Sequence, residues 1–156
     1  MEATPALVGR LREVLLNGTW IANTNYQDQL RQVDWQQATQ QVGHLNTIAH
    51  LTFHINYYLA GILDFFRGGE LSIRDKYSFD LPPITSAAEW QALRAELLAN
   101  AEAFAQHVDS LSEEQLAAPF VKAEYGDYRR NIEGMIEHCY YHLGQIVIIR
   151  KLLSSN

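Results

Sequence analysis

One cysteine stands among 156 residues, so no disulfide can close within the chain and no multi-thiolate zinc module can be assembled from it. That scarcity fits a reducing compartment, and a cytoplasmic location is the expectation. Nowhere do 18 apolar residues follow one another, so no membrane span is read and no membrane partner is expected. Basic residues are also short. Twelve Lys and Arg against 18 Asp and Glu leave the chain acidic by six charges. The only adjacent cationic pairs are Arg129-Arg130 and Arg150-Lys151, where a nucleic-acid partner would need a concentrated basic face. The first sixteen residues carry Glu2, Arg10, Arg12 and Glu13 in place of an unbroken apolar stretch, so no signal peptide is read. The one adjacent glycine pair, Gly68-Gly69, lacks the Lys-Ser/Thr of a phosphate loop, and no nucleophile elbow is present. A single domain over residues 1–156 is expected, burying roughly 68–70% of the surface its unfolded chain would expose.

What is there reads as helix throughout. Thr4-Pro5 opens the first pattern, with Leu7, Leu11, Val14 and Leu15 at helical spacing. Asn17-Gly18 interrupts it before Trp20, Ile21, Tyr26 and Leu30 resume the stripe toward Val33, which leaves one bent helix and two shorter ones both open. The polar stretch 34–41 has room for a further helical turn. A second pattern spans about Val42 to Phe66, carried by Leu45, Ile48, Leu51, Ile55, Leu59 and Leu63, and stops at Gly68-Gly69. Residues 68–85, with Gly-Gly and Pro-Pro, read as a loop able to act as a lid, with Arg74, Lys76, Tyr77 and Phe79 as candidates for setting specificity. Ser86 with Glu89 forms a capping box for a third helix to about Asp109, Ser112 with Gln115 repeats the pattern briefly, and a last helix runs from about Tyr128 to Leu153. Each long helix carries an apolar stripe that needs partners, which implies an all-α four-helix bundle. In the last helix Ile146 to Ile149 are all apolar and point around most of the circumference. They are either buried between neighbours of the same chain or form a homodimer face.

Six histidines occupy positions 44, 50, 54, 107, 138 and 142. His50 and His54 stand four apart, as do His138 and His142, and side chains at that spacing share one helix face, so each pair can address one ion. Random placement of six histidines would give about 0.2 such pairs, and two are present. By geometry His50 and His54 are equivalent candidates. His44 and His107 have no partner at ligand spacing and read as solvated polar residues. Cys139 lies about 100° around the helix from His138 and reads as a structural thiol pointing away from any ion.

The residues around both pairs resemble a known family. Thr47-Ile48-Ala49-His50-Leu51-Thr52-Phe53-His54-Ile55 resembles the second-helix pattern of the DinB-like (DinB/YfiT) metalloenzymes. Ile136-Glu137-His138-Cys139-Tyr140-Tyr141-His142-Leu143-Gly144-Gln145-Ile146 is similar to that family's last-helix signature, two histidines four apart followed by a small residue, Gln and Ile. The resemblance implies an up-down-down-up bundle with one divalent metal ion near one end. It also implies that His54, His138 and His142 are the ligands, with zinc, nickel or iron as the metal. His50 falls where the pattern does not require histidine and is a candidate fourth ligand or supporting residue.

Helical phase adds support groups. Gln145, three residues after His142, is placed to hydrogen-bond a ligand imidazole, and Tyr57, Tyr58 and Tyr141 are placed to line a pocket. No general base is visible on the ligand stripe. Three protein ligands leave coordination positions open, as in catalytic sites. Some members of the resembled family are S-transferases using bacillithiol or a comparable low-molecular-weight thiol, and related mycothiol-dependent isomerases share the bundle. The expected function is therefore a metal-dependent transfer to or from such a thiol, with a small-molecule substrate. A non-catalytic dimeric metal- or ligand-binding bundle with a role in stress response, and a metal-dependent hydrolase, are the alternatives.

Overall fold

Residues 3–154 are described by a computed structural model; Met1, Glu2, Ser155 and Asn156 lie outside the described residues. In chain order the helices are α1 (Ala3–Leu15), α2 (Tyr26–Arg31), α3 (Trp35–Thr39), α4 (Ile48–Phe66), α5 (Ala87–Asp109), α6 (Glu113–Leu116) and α7 (Tyr128–Ser154). Single 3-10 turns lie at Asp75–Tyr77 and Ala123–Tyr125. Among the described residues there is no strand, and no helix is long and apolar enough to cross a membrane.

The four long helices α1, α4, α5 and α7 bury one stripe each into a common core. On α4 this stripe is Ile48, Leu51, Ile55, Leu59 and Leu63, and opposite it lie Leu97 and Phe104 of α5 and Ile132, Ile136 and Leu143 of α7. Each fully buried Leu or Ile of this kind contributes about 1.5–3 kcal/mol relative to an exposed one. Cross-helix contacts fix the directions. Thr4 Oγ1 donates to Leu111 O while Arg12 pairs with Glu102, so α1 and α5 are antiparallel. Asn100 donates to Asn56 while Phe104 packs on Phe66, so α4 and α5 are parallel. His54 meets His138 while Phe66 stacks on Tyr128, so α4 and α7 are antiparallel. The result is the up-down-down-up bundle, in which the 68–85 segment must return along the outside so that α5 can start at the same end as α4.

Where the chain departs from the expected boundaries, local geometry gives the reason. After Leu15 the chain leaves the helix and does not bend through it. Trp20 and Ile21 are 72% and 70% exposed, and Ile21 has φ 72°, a conformation that excludes helix, so neither belongs to the expected stripe. Asn25 then caps α2, accepting from Asp28 N and donating to Gly18 O. The turn expected within 34–41 is α3, with a reciprocal Asp34–Gln37 capping box. The helix expected from Val42 starts only at Ile48, because Gly43 at φ 55° breaks the run and Thr47 Oγ1 caps the first turn. Leu45 is consequently exposed. At Ser86 the cap is present, but the Glu89 carboxylate turns back to Thr85 N and Oγ1. The apolar run in α7 divides. Ile146, Ile149 and Leu153 are buried in the core of the same chain, while Ile148 and Leu152 remain exposed.

Gly61 is what lets the 68–85 segment lie against α4. A Cβ there would stand 2.3 Å from Ile73 Cγ1. Gly61→Val should destabilise the protein by about 1–3 kcal/mol through overpacking. It should also raise amide hydrogen exchange in residues 72–79 above that of the α4 core, and unchanged exchange there would contradict this account of the contact.

Candidate metal centre

The antiparallel register of α4 and α7 brings His54 opposite His138 and His142. The three Nε2 atoms converge: His54 to His138 at 3.0 Å and His138 to His142 at 2.9 Å. One potential ligand atom from each ring lies within 4.8 Å of the other two. His54 and His142 are buried and His138 half-buried. The site occupies the second turn of α4, but the middle of α7, because the 27-residue α7 overruns the 19-residue α4. The expected position near one end therefore holds for α4 and not for α7.

Two of the rings are oriented from behind. His54 Nδ1 faces Ser78 O at 3.3 Å, and because a carbonyl only accepts, that nitrogen carries the proton. His142 Nδ1 donates to Gln145 Oε1 at 2.6 Å, the role expected of Gln145. Both rings then present bare Nε2 lone pairs to His138. One proton on His138 Nε2 can serve them, or one cation can serve all three. Ligand nitrogens about 2.0–2.1 Å from one ion stand about 3 Å or slightly more apart, the size of the spacings seen here. Three imidazole donors suit zinc, iron, nickel or copper, so the residues fit a divalent transition metal.

Burial, and then the charge of neighbouring imidazoles, pushes His54 and His138 down to about 4. His142 is also lowered by burial, against the pull of Gln145. All three are thus neutral at neutral pH, the form that binds metal.

The 68–85 segment closes the outer side. Phe79 stacks flat on His54 with ring centroids 4.0 Å apart and planes within 8°. Tyr58 sits edge-on to both His54 (5.1 Å) and His138 (5.2 Å), and its hydroxyl donates to Asp75 Oδ1 at 2.6 Å. Burial and that hydrogen bond raise the Tyr58 phenol to about 12. Tyr57 ties the 68–85 segment to α4, donating to Arg74 O and accepting from Arg74 N, and lines a cavity there beside Gly61 and Ile73. Tyr141 packs against His142 at 4.8 Å but is 66% exposed. Of the loop residues expected to set specificity, Phe79 reaches the histidines. Lys76 and Tyr77 are exposed and pair with each other, and Arg74 is engaged through its backbone.

His50 takes no part in the cluster. Its Nδ1 lies 2.7 Å from Thr47 Oγ1, at the cap of α4, which occupies the ring one turn before His54. His44 is exposed as expected, whereas His107 is half-buried and stacked on Phe66 at 4.5 Å, its pKa lowered by burial. Cys139 is buried in the core, about 100° around α7 from His138 and outside the cluster, and burial pushes its thiol up. Asp75 and Ser78 were not singled out in the sequence. Asp75 is close enough for its charge to favour the protonated forms of His54 and His138, so a carboxylate does stand beside the cluster. The one available signal was position, since a segment returning past α4 must cross the face bearing His54.

The depressed histidines fix the sign of a pH effect in metal-free protein. Below about 6.5 the unfolded chain takes up protons that the folded rings refuse until about 4. Stability of chelator-treated protein should therefore fall as pH drops from about 6.5 to about 4, followed by urea unfolding, and less steeply in His138→Gln. Equal slopes in both proteins would contradict the assignment.

A family model described as the DinB superfamily matches residues 24–146. No curated protein and no solved structure matches the chain. The matched stretch takes in α2 through most of α7, with all three clustered histidines and Gln145, and the chain belongs to the DinB superfamily.

Proposed function

We propose that this protein binds one divalent metal ion through Nε2 of His54, His138 and His142 and acts as a metal-dependent S-transferase for a low-molecular-weight thiol. The convergence of three neutral imidazoles within hydrogen-bond distance is the observation that carries the metal reading. The thiol reading rests on the family resemblance of the two histidine motifs. When bound, such an ion offers open coordination positions and lowers the pKa of a thiol or water held there.

The chain's own residues supply orientation, exclusion of water and proton handling. Ser78 O and Gln145 hold the tautomers of His54 and His142, so the facing nitrogens stay unprotonated. Phe79 covers His54 and keeps water from that side. The Tyr58 phenol stays protonated through the neutral range and holds Asp75 beside the cluster through its single O–H, and Asp75 can take a proton. In the assigned reaction the thiol sulfur forms a bond to an electrophilic carbon, the leaving group departs with the bonding pair, and the thiol proton passes to Asp75 or solvent. Cys139 is too buried to serve as the nucleophile, so the thiol comes from a second substrate. Asp75 also favours a second reading, a hydrolase in which it accepts a proton from water.

Protein purified without a nickel column should carry about one divalent ion per chain by elemental analysis. His54→Ala and His142→Ala should lose it, His50→Ala should keep it, and Gln145→Leu should bind about 10–100-fold more weakly. Wild-type protein that cannot be loaded would end the metal reading. Turnover of an electrophile without added thiol would replace transfer by hydrolysis. The expected homodimer is supported by Tyr141, Ile148 and Leu152, exposed along one side of α7. Light scattering should give a dimer mass that Ile148→Glu reduces to monomer; a monomer mass in the wild type would remove the proposal.

A further inference from the structure

A cavity of about 430 Å³ opens directly on His138, between α4 and α7, with neither Phe79 nor Gln145 in its lining. Its volume is within the range of small-molecule sites. Tyr58 and Ile62 line it from α4, Tyr125 from the 3-10 turn before α7, and Arg130, Gly134 and His138 recur every four residues along its α7 side. Tyr58 and His138 belong to the cluster already described, so whatever occupies the cavity touches the proposed metal centre.

Two residues of this cavity lie outside the buried core. Gly134 lies in the second turn of α7, inside the helix, where glycine weakens it, yet a Cβ there would meet nothing within 4 Å. No packing within the chain requires glycine at this point, and its effect is to leave room beside His138. Arg130 is the one cation of the lining. Its guanidinium does not point along the helix dipole or into the core. It extends two turns along α7 to Glu137, the neighbour of His138, with Nη1 3.2 Å from each carboxylate oxygen. Both partners are more than half exposed (59% and 57%), so the pair is held weakly and a ligand carboxylate can displace Glu137 from the same fork.

We infer that the Arg130–Gly134 cavity binds the carboxylate-bearing arm of the thiol substrate, with Arg130 on the carboxylate and Gly134 giving the arm passage to the cluster. This rests on the proposed metal and thiol reading. It assigns the thiol to an anionic class, and makes Arg130 a specificity-determining residue. Neutral thiols of the same length would lose the pairing with Arg130, and bulkier side chains at position 134 would block the arm while leaving the histidines untouched.

The test uses the full chain loaded with cobalt(II), titrated with ω-mercaptocarboxylates from mercaptoacetate to 6-mercaptohexanoate and with the neutral mercaptoalcohols of equal length. The visible cobalt spectrum is the readout. At the best chain length the carboxylate should bind at least about tenfold more tightly than its alcohol. Arg130→Gln should abolish that preference and Arg130→Lys should retain part of it. Gly134→Leu should weaken the longer members of both series without changing cobalt stoichiometry or binding of 2-mercaptoethanol, and the retained cobalt also reports an intact fold. Equal binding of acids and alcohols, or a preference that survives in Arg130→Gln, overturns the assignment of Arg130 alone. An unaltered series in Gly134→Leu overturns the cavity as the path. A cobalt spectrum that responds to no thiol of either series takes down the thiol reading and this inference together.

Discussion

Three neutral imidazoles crowd their ligand nitrogens within 4.8 Å of one another between α4 and α7, and the surrounding structure is arranged to keep them neutral and in place. Lone pairs brought this close repel unless a proton or cation lies between them. The cost is met by the apolar stripes that lock α4 and α7 into antiparallel register, with Ile55 and Leu59 on one helix and Ile136 and Leu143 on the other buried in the same core. Burial of the rings is also what depresses their pKa, so packing and ligand readiness have one cause.

The segment between α4 and α5 turns this buried cluster into a one-sided site. Parallel α4 and α5 require a return strand of chain along the bundle's flank. Gly61 admits it, Tyr57 and Tyr58 tie its 3-10 turn, and it delivers Ser78 O and Phe79 to His54. With that side closed, the groove along α7 past Gly134 reaches His138 from the other direction, which is the approach inferred above. Topology thus decides which side of the histidines a small molecule can approach.

Much of this was legible in the sequence, for identifiable reasons. The α4, α5 and α7 stripes are long and regular, so the bundle followed from spacing, and two His-x3-His pairs on different helices marked the face of the site. Gln145 was legible because its reach to His142 is a local, one-turn relation. Spacing could not separate His50 from His54, because the choice turns on Thr47 engaging the His50 ring, a capping detail of a helix that starts six residues after its apolar pattern does. Nor could it find Asp75, Ser78 or the Arg130–Gly134 groove, since these depend on how an irregular segment and two distant helices meet. Trp20 and Ile21 fall on the helical stripe by spacing and are exposed because the backbone turns at Ile21.

The central claim is that His54, His138 and His142 hold one ion through Nε2. Crystals of the zinc-loaded protein, measured on both sides of the zinc absorption edge, test it most directly. The account predicts one anomalous peak between α4 and α7, about 2.0–2.1 Å from the Nε2 of each of the three histidines. A peak at His50 and Thr47, or bonding through Nδ1 with Ser78 and Gln145 released, would contradict it.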